Sequence, residues 1–174
     1  MIEYTYLDTP LARFLAISDG QALTGLYFAD QRHVPTIGAD WVLHPESEIF
    51  TALKAQLREV AEGRRQEFDL PLQPSGTEFQ KAVWDVIRTI PFGSTLSYSE
   101  LASRAGRPGA VRAAGTATGR NPISWIVPCH RVIGKSGGMT GYAGGLSRKV
   151  TLLNFEAGEG MAWKVSDAPT LLPR

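Results

Sequence analysis

The chain is organised around one stretch, Trp125-Ile126-Val127-Pro128-Cys129-His130-Arg131-Val132-Ile133. This stretch contains the only cysteine of the chain, Cys129, with a histidine directly after it. Its apolar residues predict a short buried segment, which Pro128 stiffens by fixing its own φ and pushing Val127 towards an extended conformation. A nucleophilic cysteine needs such a setting, held firmly and close to charges that favour the thiolate. The alternative is that Cys129 is only a small buried hydrophobic residue, the commoner role of a cysteine.

The composition is that of an ordinary globular chain: 174 residues, 43% of them hydrophobic, with a mean hydropathy of −0.11. No run approaches the ~18 apolar residues that a membrane span needs. Residues 1–5 lack the basic start and apolar core of a signal peptide. One cysteine cannot form an internal disulfide, and with three scattered histidines it offers no zinc-ligand spacing. We therefore expect a cytoplasmic protein with no cofactor, no metal and no membrane partner.

Charge is distributed unevenly, although the net charge is only +1. Residues 1–76 carry six Lys and Arg against eleven Asp and Glu, whereas residues 77–174 carry twelve against six. Between Glu100 and Glu156 there are eight cations and no acidic residue. Such a surface is typical of a protein that meets a polyanion. The alternative is a solvated basic face without a partner.

The first third of the chain predicts a small antiparallel meander. Turn signals at Asp8-Thr9-Pro10 and Asp19-Gly20 separate three stretches of β-rich sequence. The expected strands are residues 3–7, 12–17 and 23–28.

Apolar residues at helical spacing then predict a helix from Glu48 to Glu62. Phe68–Leu72 is a candidate for one more short strand. Residues 1–73 are therefore expected to form a structural N-terminal α/β domain without zinc, followed by a linker at 73–76.

Residues 77–174 predict a helical domain with a helix-turn-helix in a basic setting. Capping boxes indicate that helices begin at Thr77 and after Ser97. The second of these helices stops at Gly106, and a helix rich in small residues follows at 110–118. Its small side chains let a nucleic-acid backbone come close but offer almost no hydrogen bonds to base edges. We therefore expect binding of weak sequence specificity, driven by phosphates and shape.

A glycine-rich segment, residues 134–145, predicts a flexible wing before a last helix, Leu146–Glu156. Glu156 is the nearest acidic residue downstream of Cys129 and His130. On an extended segment neighbouring side chains point to opposite faces, so a bridging water would have to carry a proton from thiol to imidazole. Glu156 either orients His130 or forms a helix-end salt bridge, and the sequence leaves both open.

Pro128-Cys129-His130-Arg131-Val132-Ile133 resembles the active-site signature of the O6-alkylguanine-DNA alkyltransferases, or methylated-DNA–protein-cysteine methyltransferases. The resemblance covers essentially all of residues 77–158 in register, and residues before this range resemble the family's variable first domain more loosely. The further matching motifs are Thr77-Glu78-Phe79-Gln80-Lys81-Ala82-Val83-Trp84, Ile90-Pro91-Phe92-Gly93, Tyr98, Arg112-Ala113-Ala114-Gly115, Asn121-Pro122-Ile123-Ser124 and Gly141-Tyr142-Ala143-Gly144-Gly145.

The resemblance implies an α+β fold and a suicide reaction. The fold would be a small N-terminal antiparallel-sheet domain with one helix, followed by a helical C-terminal domain with a helix-turn-helix or winged-helix DNA-binding unit. Cys129, as thiolate, would attack the alkyl carbon on O6 of guanine, with His130 as the water-mediated base and Glu156 orienting it. Tyr98 would donate a hydrogen bond or proton to the departing guanine. Arg112 would enter the stack through the minor groove as the damaged base is flipped out.

Other positions take supporting roles by the same resemblance. Asn121 would be the hinge that joins the second helix to the active-site segment. The pocket would be lined by the backbone of Val132 and Ala143 together with Tyr142. Thr118 departs from the commoner family pattern of larger or differently ordered residues near the pocket, and its small size would admit bulkier alkyl groups. The DNA-binding set would comprise Arg112, Tyr98, Ser99, Arg107, Ala113, Gly115 and Lys135. The partner would be duplex DNA with O6-alkylguanine or O4-alkylthymine, bound by a monomer, and a stable thioether would limit each chain to one transfer.

Two other function classes remain open. A hydrolase or peptidase could use Cys129 with His130, but the sequence offers no oxyanion-hole signal. A non-catalytic winged-helix protein could sense DNA damage, but it would not need the nucleophile, which is present.

Overall fold

The computed structural model describes residues 1–134 and 142–158. The chain begins with a four-stranded sheet. The strands are β1 Glu3–Asp8, β2 Arg13–Ser18, β3 Leu23–Phe28 and β4 Val42–Leu43, in the order β3-β2-β1-β4. β2 pairs antiparallel with both β1 and β3, which confirms the predicted meander. The edge strand β4 pairs parallel with β1, an addition that the polar, irregular sequence around it does not indicate.

One helix, α1 (Glu48–Ala61), follows the sheet, as predicted. The side chain of Ser47 accepts a hydrogen bond from the Phe50 backbone and caps its start. The predicted strand at 68–72 is wrong, since only a single bridge joins Leu72 to Leu23. Pro71 gives its carbonyl to the Leu23 amide at 2.8 Å, but it has no N–H with which to continue a ladder.

The rest of the described chain is mainly helical, as predicted. Its helices are α2 Glu78–Arg88, α3 Tyr98–Arg104, α4 Val111–Gly119 and α5 Leu146–Glu156. A two-stranded parallel sheet joins β5 (Leu96–Ser97) to β6 (Val132–Ile133). Gly106, at φ +89°, follows the end of α3 and begins the turn that leads to α4. Helices α3 and α4 with this turn form the predicted helix-turn-helix. The fold class is therefore α+β.

A reciprocal capping box begins α2. The Gln80 amide donates to the Thr77 hydroxyl at 3.1 Å, and the Thr77 amide donates to Oε1 of Gln80 at 2.9 Å. Trp84 then fastens α2 to α4, because its indole N–H donates to the Ala117 carbonyl at 2.8 Å. No helix in residues 1–134 or 142–158 is both long and apolar enough to cross a bilayer.

The sheet also supports the segment that leads to Cys129. The amide of Leu26 in β3 donates to the Pro122 carbonyl at 2.8 Å, and the Ser124 amide donates back to the Leu26 carbonyl at 2.8 Å. Buried apolar residues from both halves of the chain form one cluster. The division into domains at 1–73 and 77–174 stays a prediction, and the two halves share this core.

Candidate active site and nucleic-acid interface

The segment around the cysteine is buried, as its sequence predicts, but it is not extended. Residues 121–132 are all buried, and Cys129–Arg131 form one turn of 3₁₀ helix. The turn forms because the Pro128 carbonyl accepts a hydrogen bond from the Arg131 amide at 2.9 Å. The expectation that neighbouring side chains alternate between two faces of a strand is therefore wrong at this point.

Asn121 braces this segment from the end of α4. Its Nδ2 donates to the carbonyls of Ile123 at 3.2 Å and Val127 at 2.9 Å, while its Oδ1 accepts from the Ile123 amide at 2.9 Å. Between them, Trp125 takes a left-handed backbone conformation at φ 71°, which costs a non-glycine residue ~1–3 kcal/mol. The packing of the surrounding core holds this strained bend, and the bend directs the chain into Cys129.

Glu156 is the centre of a buried charged cluster. His130 Nε2 lies 2.7 Å from its Oε2, and Arg131 donates to both carboxylate oxygens, from Nε at 2.7 Å and Nη2 at 2.8 Å. The remaining Arg131 Nη1 donates to the Ile90 carbonyl at 2.7 Å. Glu156 therefore contacts His130 and also forms a salt bridge at the end of its helix, so both roles that the sequence leaves open are compatible with its position.

Burial and charged neighbours together set the protonation states of Cys129, His130 and Glu156. Burial raises the pKa of Cys129 to about 12, although a hydrogen bond from Asn121 and the charge of Lys149 act against it. Burial also lowers the pKa of His130. Burial alone would raise the pKa of Glu156, but its interactions with His130 and Arg131 outweigh it and hold that pKa at about 2. At neutral pH the centre therefore holds a thiol, a neutral imidazole and a carboxylate.

The hydrogen bond to Glu156 assigns the tautomer of His130. A carboxylate only accepts, so the ring proton lies on Nε2 and the lone pair on Nδ1. Nδ1 is buried and has no hydrogen-bond partner among the described residues. An oriented imidazole with an available lone pair is a suitable general base.

Lys149 is a buried cation of this centre that the sequence reasoning does not single out. Its side chain is fully buried and Nζ donates to the Val132 carbonyl at 2.7 Å. Burial lowers the pKa of Lys149 to about 8, against an opposing effect of Cys129. In the sequence it is one more member of the basic run. Its spacing of seven residues from Glu156 places both on one face of α5 and is the signal that could have found it.

A groove of about 1160 Å³ lies beside this centre. Tyr142, one of its lining residues, has its ring centroid 6.4 Å from that of His130 in an edge-on arrangement. A Cβ on Gly144 would collide with the ring of Phe28, so the segment carrying Tyr142 packs closely on β3. The groove brings together six predicted site residues: Tyr98, Arg112, Gly115, Asn121, Tyr142 and Ala143.

Two predicted pocket residues, Val132 and Thr118, are buried and do not line the groove. Val132 is buried in β6, and its carbonyl is occupied by Lys149. Thr118 is buried and its hydroxyl donates to the Ala114 carbonyl of its own helix at 2.8 Å. Neither is among the residues that line the groove.

The remaining predicted DNA contacts lie outside the groove lining. Ala113 is exposed on α4, and Ser99 is half-buried in α3. The guanidinium of Arg107 lies 5.1 Å from the ring centroid of Phe79. Lys135 and most of the predicted glycine-rich wing lie outside the described residues.

Comparison with known proteins covers both halves of the chain. Residues 2–74 match the family model described as "6-O-methylguanine DNA methyltransferase, ribonuclease-like domain", and residues 78–158 match "6-O-methylguanine DNA methyltransferase, DNA binding domain". The methylated-DNA–protein-cysteine methyltransferase of Mycobacterium leprae is 46% identical over 90% of this chain and 93% of its own length. That of Haemophilus influenzae is 40% identical over 88% of this chain and 85% of its own length.

Solved structures agree with the family match. The structure of Mycobacterium tuberculosis OGT in complex with DNA is 42% identical, with a TM-score of 0.85 over 94% of this chain and 98% of that chain. The structure of Mycobacterium tuberculosis O6-methylguanine methyltransferase is also 42% identical, with a TM-score of 0.83 over 93% of this chain and 96% of that chain. The chain belongs to the methylated-DNA–protein-cysteine methyltransferase family.

Proposed function

We propose that this protein repairs alkylated DNA by transferring an alkyl group from O6 of guanine to Sγ of Cys129, once per chain. The observation that carries the proposal is the buried Cys129 next to an imidazole that Glu156 contacts at 2.7 Å, beside a groove whose described lining residues include no acidic side chain. A nucleophile, an oriented base and a surface for a polyanion are the three parts that such a reaction needs.

The thiol must lose its proton during the reaction, because a pKa of about 12 keeps Cys129 protonated at rest. We propose that the proton passes through a water molecule to Nδ1 of His130. Glu156 then stabilises the imidazolium that forms, as a carboxylate does in hydrolase triads. Lys149 lowers the pKa of the thiol by its charge and thereby favours the thiolate as it forms.

The transfer itself is one displacement. The thiolate attacks the alkyl carbon, an S–C bond forms, the C–O6 bond breaks, and its electron pair moves to the guanine. Tyr98 donates a hydrogen bond or proton to that guanine. The product is unmodified guanine and a thioether, and since a thioether is stable the chain does not turn over.

Reaching a base inside a duplex requires that the base leaves the stack. We propose that Arg112, exposed on α4 at the groove, enters the stack from the minor groove and fills the gap. Tyr142 and the backbone of Ala143 then line the pocket for the flipped base. O4-alkylthymine carries the same kind of alkyl ether and is proposed as a second substrate.

One chain supplies every residue in this scheme, so we propose that the protein acts as a monomer on duplex DNA in the cytoplasm. Val132, Thr118 and Ser99 do not line the groove. We propose that Val132 and Thr118 shape the pocket, and that Ser99, Ala113, Arg107 and Lys135 belong to the DNA-binding surface. Asn121 keeps the proposed role of a hinge between α4 and the active-site segment.

The test is stoichiometry. Duplex DNA that contains O6-methylguanine with a labelled methyl group is incubated with the protein, and the label is located by peptide mapping. We expect at most one label per chain, on Cys129. Label released into solution, or several transfers per chain, would reject the proposal and favour a cysteine-dependent hydrolase.

Cys129→Ser is the matched variant. It should retain duplex binding and lose transfer, because a serine hydroxyl is a far weaker nucleophile at neutral pH. Unchanged transfer by this variant would reject the assignment of the nucleophile. Binding without any transfer by the wild-type protein would favour a damage-sensing protein.

A further inference from the structure

The groove has a second wall, which comes from the N-terminal sheet. β3 and the turn after it contribute Tyr27, Gln31, Arg32 and His33 to its lining. These four residues lie outside the sequence motifs that mark the candidate site. Among the described residues, the groove lining includes three arginines, Arg32, Arg112 and Arg120, and neither aspartate nor glutamate.

The turn that carries Arg32 is fastened on both sides. Oε1 of Gln31 accepts from the Phe28 amide at 2.9 Å, and the Gln31 amide donates to the Phe28 carbonyl at 3.1 Å. Asp30 forms a bidentate pair with Arg148 of α5, with N–O distances of 2.7 and 2.9 Å. This pair ties the turn to the helix that carries Lys149 and Glu156, and it neutralises the only acidic side chain of the turn.

His33 has a strained backbone at an exposed position. Its φ is 60°, in the left-handed region that costs a non-glycine residue ~1–3 kcal/mol. His33 is exposed, so burial of its own side chain does not offset this cost. Strained non-glycine residues cluster at ligand-binding sites, and this one lies on the groove wall.

Arg32 differs from three of the other four arginines of the N-terminal half. It is exposed and forms no ion pair among the described residues. Arg13 pairs with Asp8, Arg64 with Glu62 and Arg65 with Glu59. Arg32 is therefore a cation on a fixed turn, at a groove that the described part of the chain lines without a carboxylate. This arrangement is suitable for an external anion.

We propose that the Arg32–His33 turn is a second DNA-binding element, which holds a backbone phosphate at the part of the groove that the N-terminal half lines. Arg32 supplies the charge, and a ring N–H of His33 can donate a hydrogen bond to a phosphate oxygen. The inference rests on the proposed function in one respect, namely that DNA occupies this groove. It gives the N-terminal half a direct part in binding.

The test compares Arg32→Ala with Arg13→Ala, which removes the same charge from the same half of the chain but from outside the groove. The dissociation constant of a duplex containing O6-methylguanine is measured from 50 to 200 mM salt with the Cys129→Ser form of each protein. Loss of one phosphate contact should reduce the slope of log K against log salt by ~0.9. The affinity of Arg32→Ala should fall by roughly three- to tenfold at low salt, since each phosphate contact adds to K.

Arg13→Ala should keep the slope of the Cys129→Ser parent. Equal slopes for Arg32→Ala and Arg13→Ala, or equal losses of affinity, would overturn the proposal, because they would show only a long-range effect of net charge. Circular dichroism of each variant checks that it is folded, and Arg32→Lys should restore most of the slope.

A second measurement separates this proposal from the proposed function. Alkyl transfer from duplex and from the free O6-methylguanine base is compared with Cys129 intact. Arg32→Ala should lower the duplex rate relative to the free-base rate, and an unchanged ratio would count against the contact. Absence of transfer by the wild-type protein from both substrates would reject the proposed function, whereas the binding slopes would still report on the contact.

Discussion

The protein carries two groups of ionisable residues that differ in burial and in pairing. The first is the buried cluster of His130, Arg131, Lys149 and Glu156, in which Arg131 alone makes three hydrogen bonds. The second is the set of groove arginines, Arg32, Arg112 and Arg120, which are exposed and form no ion pair among the described residues.

The difference in burial and pairing suits the first group to the chemical step and the second group to the binding of DNA. Buried charges are expensive unless they are paired, and once paired they hold each other in a fixed geometry. Exposed arginines without carboxylate neighbours are flexible and hydrated, and they are suited to a polyanion that arrives from solvent. We propose that the first group orients the base for Cys129 and that the second provides the surface that DNA covers.

The largest expected effect comes from breaking the buried cluster. Glu156→Ala leaves Arg131 buried without its carboxylate partner, and it should reduce the free energy of unfolding by ~3–5 kcal/mol. Urea unfolding with a constant m-value measures this change. Glu100→Ala is the control, since Glu100 is exposed and lies 3.7 Å from Arg104, and such pairs contribute less than ~1 kcal/mol. Equal losses for both variants would contradict the comparison.

The same cluster should make the protein sensitive to acid. The pKa of Glu156 is lowered from its ordinary value of 4.5 to about 2 in the folded state, so on acidification the unfolded chain takes up this proton first. The stabilisation is complete above pH 4.5 and is lost as the pH falls towards 2, and it amounts to ~3 kcal/mol. The lowered pKa of His130 acts in the same direction below its ordinary value of 6.5.

The check is the pH dependence of unfolding for the wild type and Glu156→Gln. The difference in stability between them should shrink between pH 4.5 and 2, because the amide does not titrate in this window. A difference that stays constant with pH would place the acid sensitivity elsewhere.

The next effect concerns the groove arginines. Arg112→Ala should lower alkyl transfer from duplex by roughly tenfold, equivalent to ~1.4 kcal/mol, and should change transfer from the free base much less. Stability should stay within about 0.5 kcal/mol of the wild type, since the side chain is exposed. Arg88→Ala, an exposed position in α2 away from the groove lining, is the control. Equal losses on duplex and free base would reject a role of Arg112 in opening the stack.

The smallest effect concerns Gly115, where one added methyl group should change stability and duplex affinity in opposite directions. A Cβ on Gly115 would meet only the ring of Tyr98, at 3.7 Å or more, which is ordinary contact. Gly115→Ala should therefore stabilise the protein by roughly 0.5–1 kcal/mol, as expected for a glycine inside a helix. If DNA approaches this face closely, duplex affinity should fall in the same variant. Thermal unfolding and duplex titration measure the two effects, and unchanged affinity would refute the close approach.

Local features were predictable from the sequence because they depend on neighbours in the chain. The three long strands, the capping box at Thr77 and the bounds of α5 agree with the prediction. The strand predicted at 68–72 failed because Pro71 cannot extend a ladder. The extended conformation expected at Cys129 is wrong because the Pro128 carbonyl accepts a hydrogen bond from the Arg131 amide and closes a 3₁₀ turn.

The candidate site was predictable only in part. The resemblance marked Cys129, His130, Glu156 and Arg112, since these positions lie in motifs or at a matching spacing. Lys149 and Arg32 do not stand out as site residues in the sequence. The burial of Lys149 and the position of Arg32 in the groove lining become visible only in the structure. Burial and shared surfaces depend on parts of the chain that are far apart in sequence.

The sequence by itself determined the three long strands and the main helices, the basic interval that predicts a polyanion and the family to which the chain belongs. These follow from periodicity, composition and motifs, which are properties of short segments. Only the tertiary structure decided which groups touch. His130 and Glu156 are 26 residues apart, Arg131 and Ile90 are 41 apart, and Arg148 and Asp30 are 118 apart. Such pairs form because the core folds both halves together, and that packing brings Glu156 to His130 and adds residues of the N-terminal half to the groove lining.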